Sequence, residues 1–243
     1  MNLIFLRHGL SEWNIENKFT GWVDISLHQK GIEEAKKARD IILESNFIPD
    51  IVYTSYLERS IQTAKIVSDK EFKKDWRLNE RHYGALQGLN KKETSKKYGE
   101  AIVHEWRRGF DTRPPLLSVD SPYNQENIEI YKDLDIVIPL GESLKDVLKR
   151  VKPLLEQIIN EASSKKVLVV AHGNSIRAII KIIENISDDK ITSVNIPTCV
   201  PLAFNVDELN KEKVIQRIGY LGNEEDILSA TKEVEQQSHL NKK

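Results

Sequence analysis

The sequence predicts an α/β protein: a mostly parallel sheet flanked by helices on both faces, with a long lid insertion over the strand carboxyl ends. Three observations lead there. Short apolar runs at 3–6 and 167–171 pass directly into Leu-Arg-His-Gly at 6–9 and Val-Ala-His-Gly at 170–173, as buried parallel strands ending in reactive loops do. Segments of helical period lie between the strand candidates, which implies crossovers covering both sheet faces and ligands gathered at the strand carboxyl ends. The stretch 90–138 is polar, rich in tyrosine and arginine, and interrupted by Pro114, Pro115 and Pro122. With little periodicity of its own, it has the character of a lid.

In chain order, Leu3–Leu6 is the first strand. Ile32, Ala35, Ala38, Ile41 and Ile42 mark the apolar face of a helix, spaced to pack on a sheet. Ile51–Thr54 gives another strand, followed by a helix that begins near Arg59. After the lid, Leu144, Val147, Leu148, Val151, Leu154, Leu155, Ile158 and Ile159 define a longer helix. Ser143 and Asp146 stand in capping-box spacing at its start, and Pro153 removes one backbone donor inside it. Val167–Ala171 is a buried strand leading to a helix at about 175–184. Leu202–Val206 alternates more, which places it nearer an edge.

A chain of 243 residues suits one large catalytic domain, read as 1–222 with its lid at about 90–138. Residues 223–243 are polar and end in Asn-Lys-Lys, so a mobile tail is expected.

Composition narrows the partners. Thirty-six basic residues against 37 acidic give a net charge of −1, so no long-range field draws nucleic acid or an anionic membrane. Anion recognition must be local. The apolar start has no basic residue before it and stops at Arg7, unlike a signal peptide. No apolar run approaches the ~20 residues of a membrane helix. The single cysteine, Cys199, excludes an internal disulfide and reads as a packing residue. A cytoplasmic, soluble protein is expected.

The chemistry begins at Arg7-His8-Gly9. A neutral imidazole attacks phosphorus well, a neighbouring guanidinium neutralises phosphoryl oxygens, and glycine permits close backbone approach. Taken alone, a histidine at a strand end is more often structural. His172-Gly173-Asn174-Ser175 shifts the balance by bringing a second histidine and a helix amino terminus, which attracts phosphate, to the same rim. Neither histidine belongs to a His-x-His or His-Glu-x-x-His arrangement, so metal is the weaker reading. Arg59, just after a strand, becomes a third cation for a transferring phosphoryl group.

Longer strings carry a resemblance. Leu-Arg-His-Gly-x-Ser-x-Trp-Asn at 6–14, Phe-Thr-Gly-Trp at 19–22, the sixteen residues from Trp-Arg-Leu-Asn-Glu-Arg-His-Tyr to Gly-Leu-Asn-Lys at 76–91, Trp-Arg-Arg at 106–108 and Ala-His-Gly-Asn-Ser-Ile-Arg-Ala at 171–178 resemble the 2,3-bisphosphoglycerate-dependent phosphoglycerate mutases of the histidine phosphatase superfamily. The similarity runs to about Tyr220.

The resemblance implies that His8 is phosphorylated, that Arg7, Arg59 and His172 hold the phosphoryl group, and that Glu80 is the general acid and base. Without the resemblance, Glu80 would be read as an ion-pair partner of Arg77 or Arg81. It further implies substrate contacts from Ser11, Asn14, Thr20, Gly21, Arg81, Tyr83, Lys91, Arg107, Arg108, Gly173 and Asn174. A three-carbon acid with two phosphates and a carboxylate asks for several such cations. Trp13, Trp22, Trp76 and Trp106 are expected to pack rather than bind.

The implied activity is interconversion of 3-phosphoglycerate and 2-phosphoglycerate in glycolysis and gluconeogenesis. It would be primed by 2,3-bisphosphoglycerate and need no metal, in a homodimer or homotetramer. The alternatives are a phosphatase of the same superfamily and an inactive ligand-sensing descendant. Four departures stand out: Leu10 replaces a polar residue, Cys199 a glycine, His28 a capping serine or threonine, and the segment from Arg59 to Trp76 is short. The last touches the usual subunit interface.

Overall fold

The computed structural model describes residues 1–126 and 128–236. Its elements, in chain order, are β1 (Leu3–Arg7), α1 (Glu12–Ile15), α2 (Gln29–Glu44), β2 (Ile51–Thr54), α3 (Glu58–Val67) and β3 (Phe72–Lys74). There follow α4 (Lys91–Tyr98), α5 (Glu100–Arg108), α6 (Glu129–Lys132), α7 (Leu144–Ala162), β4 (Val167–Ala171), α8 (Gly173–Ile183), β5 (Leu202–Leu209), β6 (Glu212–Tyr220) and α9 (Glu224–Gln236).

The six strands form one sheet in the order β3-β2-β4-β1-β5-β6. The first four in that order are parallel, and β5 and β6 run antiparallel at one edge. β1 and β4 are neighbours, with Arg7 opposite Ala171, and the His8 amide continues the ladder to the Ala171 carbonyl at 3.0 Å. That register brings the two His-Gly units to one rim, as the sequence predicts.

Side chains alternate across the strands with period two, which divides the core into two layers. Leu3, Phe5, Val167, Val169 and Ala171 pack against α7 and α8. Ile4, Leu6, Leu168 and Val170 face α2 and α3. Both strands are fully buried, which is why they read as unbroken apolar runs. Each Leu, Ile or Val removed from water there contributes about 1.5–3 kcal/mol before chain entropy is counted.

Helix starts follow the local chemistry. Ser143 and Asp146 make the expected reciprocal cap of α7, which continues through Pro153 to Ala162. His28 takes over the capping role at α2, its Nδ1 accepting from the Lys30 amide at 3.1 Å. The Leu202 strand proves longer than predicted and lies one position in from the edge, which belongs to β6.

The segment at 90–138 is more ordered than its composition suggests. Asn90 caps α4 through the amides of Lys92 and Glu93, and α5 follows after Gly99. Beyond Tyr220 the chain forms α9 rather than a tail without structure. Val234 on α9 is buried, and Glu233 reaches Lys30 of α2 at 3.7 Å. Residues 237–243 of the expected tail lie outside the described residues.

Candidate active site

A cleft lies over the carboxyl ends of β1, β2 and β4. It is lined by Arg7, His8, Asn14, Thr20, Gly21, Arg59, Glu80, Tyr83, Lys91, Arg107, Arg108, Gly173 and Asn174, all anticipated from the sequence. Lys18, Arg177, Val194, Ile196 and Val234 complete the wall.

His8 and His172 face each other with ring centroids 4.9 Å apart and planes inclined by 58°. Nδ1 of His8 lies 2.7 Å from the Gly9 carbonyl oxygen, which can only accept. The proton therefore sits on Nδ1, and the lone pair on Nε2. Burial, then the charges of Arg59 and Arg7, hold the His8 pKa well below the ordinary imidazole value. The ring is neutral and nucleophilic. Burial first, then Arg59 and His8, depress His172 in the same direction.

Seven cations line the cleft, and besides the half-exposed Lys18 six of them are buried: Arg7, Arg59, Lys91, Arg107, Arg108 and Arg177. Each of these six is no more than 8% exposed. Among the described lining residues Glu80 is the only carboxylate facing them. Burial pulls Arg59 down to about 10. Arg107 falls to about 9, through burial and then the charge of Arg108. Lys91 is lowered well below its ordinary value by burial and then by Arg107. Such a concentration of desolvated positive charge favours an anionic ligand.

The cations are held by backbone carbonyls. Arg7 Nη1 donates to Ile196 O at 2.8 Å, and its buried Nε has no hydrogen-bond partner among the described residues. Arg59 grips the 20–24 loop, donating to Val23 O at 3.0 Å and Gly21 O at 2.8 Å. Gly21 has a φ of +59°, and a Cβ there would lie 2.2 Å from Gln87 Oε1. Arg108, at the carboxyl end of α5, donates to Val194 O at 3.2 Å.

Glu80 forms no ion pair with Arg77, which pairs with Asp75 at 2.6 Å. Its Oε1 accepts from the amides of Arg81 at 2.8 Å and Asn174 at 3.1 Å, the latter at the start of α8. Its peptide carbonyl is held by Trp22 Nε1 at 2.6 Å and Arg150 Nη2 at 3.0 Å. Trp22 thus packs, as expected, and also spends its one donor on the Glu80 loop.

Three expected site residues are absent from the cleft wall: His172, fully buried behind it against His8, and two substrate contacts. Ser11 is buried and caps α1, holding Asn14 through Oγ at 3.0 Å. Arg81 directs its guanidinium at the carbonyls of Glu142, Gly109 and Thr112, at 2.6, 3.3 and 2.6 Å, and so fastens the 109–112 backbone to the start of α7. Gly9 also differs from expectation. A Cβ there would lie 2.3 Å from the Gly31 carbonyl oxygen, so the glycine is required by the approach of α2 rather than by phosphate.

Sequence reasoning missed Ser55, whose Oγ lies 2.7 Å from His172 Nε2. It also missed Arg177, one helical turn beyond Asn174. The i, i+3 spacing within Asn-Ser-Ile-Arg was the available signal.

The fold and the paired imidazoles among buried cations agree with the family match: the chain belongs to the histidine phosphatase superfamily (branch 1), whose signature matches residues 3–212. Within it, the chain is 50% identical over 214 residues to the 2,3-bisphosphoglycerate-dependent phosphoglycerate mutase of Arthrobacter sp. (strain FB24), covering 85% of this chain and 86% of that protein. The protein of the same description from Treponema denticola is 47% identical over 239 residues, covering 93% and 94%.

Solved structures share the fold at lower identity. A mycobacterial glucosyl-3-phosphoglycerate phosphatase in complex with VO3 superposes with a TM-score of 0.71 at 19% identity, covering 91% of this chain and 99% of that one. An Entamoeba histolytica phosphoserine phosphatase in complex with 3-phosphoglyceric acid gives 0.63 at 22%, covering 92% and 98%.

Proposed function

We propose that this chain interconverts 3-phosphoglycerate and 2-phosphoglycerate by way of a phosphorylated His8, primed by 2,3-bisphosphoglycerate. The observation that carries this reading is a neutral imidazole with a free Nε2 inside a cleft of six buried cations. Three of them, Lys91, Arg107 and Arg108, come from the lid. A single phosphoryl group needs Arg7, Arg59 and a second histidine; the lid cations match the further phosphate and carboxylate of a bisphosphorylated acid.

His8 Nε2 attacks the phosphorus of the primer, forming an N–P bond as the P–O bond to the acid breaks and the Glu80 carboxyl gives its proton to the departing oxygen. Arg7 and Arg59 neutralise the equatorial oxygens through the transfer. Ser55 Oγ lies 2.7 Å from His172 Nε2 and accepts from the Leu57 amide at 3.1 Å, which holds the second imidazole in place beside His8. In the return step Glu80 takes the proton of the acceptor hydroxyl while that oxygen bonds to phosphorus and the N–P bond breaks. The lid cations retain the bisphosphate while it reorients, and Val234 of α9 contributes to the wall that excludes water.

The donor set is composed of guanidinium, ammonium and imidazole groups, which fits the phosphates and carboxylate of the primer without a metal. No helix among the described residues is long and apolar enough to cross a membrane. A small phosphorylated acid as substrate, a cytoplasmic location and a homodimer or homotetramer complete the reading, the last on the strength of the resemblance.

A coupled assay of 3-phosphoglycerate, with and without the primer, tests the function. Primer-dependent appearance of 2-phosphoglycerate is expected. Release of inorganic phosphate as the dominant reaction would establish the phosphatase alternative instead, and failure of acid-labile label to appear on the protein would support the ligand-sensing one.

A further inference from the structure

Arg177 projects from α8 into the cleft wall, is 4% exposed, and has no assigned part in the reaction described above. One of its donors, Nη2, makes a short hydrogen bond to Asn174 Oδ1. The same nitrogen lies 3.5 Å from the carbonyl of Arg107, in the last turn of the lid helix α5. Its Nε is buried without a hydrogen-bond partner among the described residues.

The chemistry of these groups fixes a direction. A guanidinium can only donate, so the atom of Asn174 that faces it must be the amide oxygen. The amide nitrogen of Asn174 is thereby turned to the Tyr83 hydroxyl, which it meets at 3.0 Å. An amide nitrogen can only donate, so the phenol oxygen must accept. The phenolic hydrogen is then free for another acceptor, and Tyr83 lines the cleft.

We propose that Arg177 is a positioning residue for substrate recognition: through Asn174 it sets the Tyr83 hydroxyl as a hydrogen-bond donor into the cleft, toward a carboxylate or phosphate oxygen of the substrate. This rests on the function proposed above. Arg177 also ties the lid to the helix that follows His172, because a cation at the carboxyl end of α5 satisfies a carbonyl that the helix leaves open. The relay therefore discriminates in favour of ligands that present an acceptor to Tyr83.

The test is a double-mutant cycle of Arg177→Met and Tyr83→Phe, assayed for 3-phosphoglycerate isomerisation. Each single variant is expected to raise KM about tenfold, the loss of one hydrogen bond to a charged ligand. The double variant is expected to resemble the worse single one, because both remove the same donor. Additive effects on KM, or an Arg177→Met variant with wild-type KM, would overturn the inference.

Arg177→Lys serves if the methionine variant does not fold. A lysine still donates to Asn174 Oδ1, so the proposal expects the KM penalty of Tyr83→Phe to be retained in its background; loss of that penalty would overturn it. If the wild-type enzyme fails to isomerise 3-phosphoglycerate, the function falls and takes the inference with it. Wild-type turnover with an additive cycle sinks the relay alone.

Discussion

Arg150, on α7, donates through Nη2 to the peptide carbonyl of Glu80 at 3.0 Å while its Nε meets Glu142 at 2.7 Å. The pair is almost completely buried, with side chains 7% and 6% exposed. Arg150 Nη1 also binds the Arg77 carbonyl at 2.5 Å, so one guanidinium holds the whole 77–80 turn. Replacing it with leucine leaves the Glu142 carboxylate buried and unpaired, at a cost of about 3–5 kcal/mol. Urea unfolding is expected to register that loss, and the added substitution Glu142→Gln is expected to recover part of it. An Arg150→Leu protein as stable as wild type would disprove the clamp.

His8→Ala removes the atom that accepts phosphorus. Label from bisphosphoglycerate is expected to vanish from the protein, together with isomerisation. Full activity in this variant would reject the phosphohistidine route.

Glu80→Gln impairs both transfers, because the carboxyl that takes the proton of the acceptor hydroxyl in one must return it to the departing oxygen in the other. The amide can do neither, so turnover is expected to fall by about 10²–10⁴, the ordinary contribution of a positioned acid or base. Labelling of the protein from bisphosphoglycerate is expected to slow in parallel. Unchanged turnover would move the proton-transfer role elsewhere.

Acid sensitivity follows from the two imidazoles. Both pKa values are held below the ordinary one, by burial first and neighbouring cations second. In the unliganded protein neither ring should protonate as pH falls through ~6.5, where free histidine does. The unfolded chain takes up those protons and the folded chain does not. Stability from this source is therefore complete above pH ~6.5 and declines below it, down to the depressed folded values, at up to about 1.4 kcal/mol per pH unit for each ring. Histidine NMR spectra recorded from pH 7.5 to 5.5 check the protonation directly; an ordinary titration of His8 would contradict the electrostatic account.

Gly31→Ala tests the junction between α2 and the catalytic loop. A Cβ at Gly31 would sit 2.1 Å from the Leu10 carbonyl oxygen, a clash with backbone that no rotamer relieves. Overpacking of this kind costs about 1–3 kcal/mol. A lower Tm and slower labelling of His8 are expected.

The sequence revealed what repeats a simple period. β1 and β4 are buried on both faces and read as apolar runs; α7 has a wide apolar stripe and an explicit cap. β3 is only Phe-Lys-Lys at a sheet edge, too short and too polar to signal itself. α4 is overwhelmingly polar because it carries Lys91 to the cleft, so its only local mark is Asn90.

At the site, residues with intrinsic reactivity were visible. Those whose importance lies in what they hold were not. Arg81 looked like a ligand contact but fastens carbonyls, and Ser55 reaches His172 only because β2 lies beside β4. Gly9 was legible as a glycine, but its reason, the Gly31 backbone, lies on another element.

The pairing of Arg7 with Ala171 has a last consequence. Two adjacent rungs of a hydrogen-bonded ladder act as a ruler for the two imidazoles, whereas Lys91, Arg107, Arg108 and Arg177 arrive on α4, α5 and α8, outside that ladder. Redesign for a new phosphate acceptor is therefore a matter of grafting walls onto an unchanged floor.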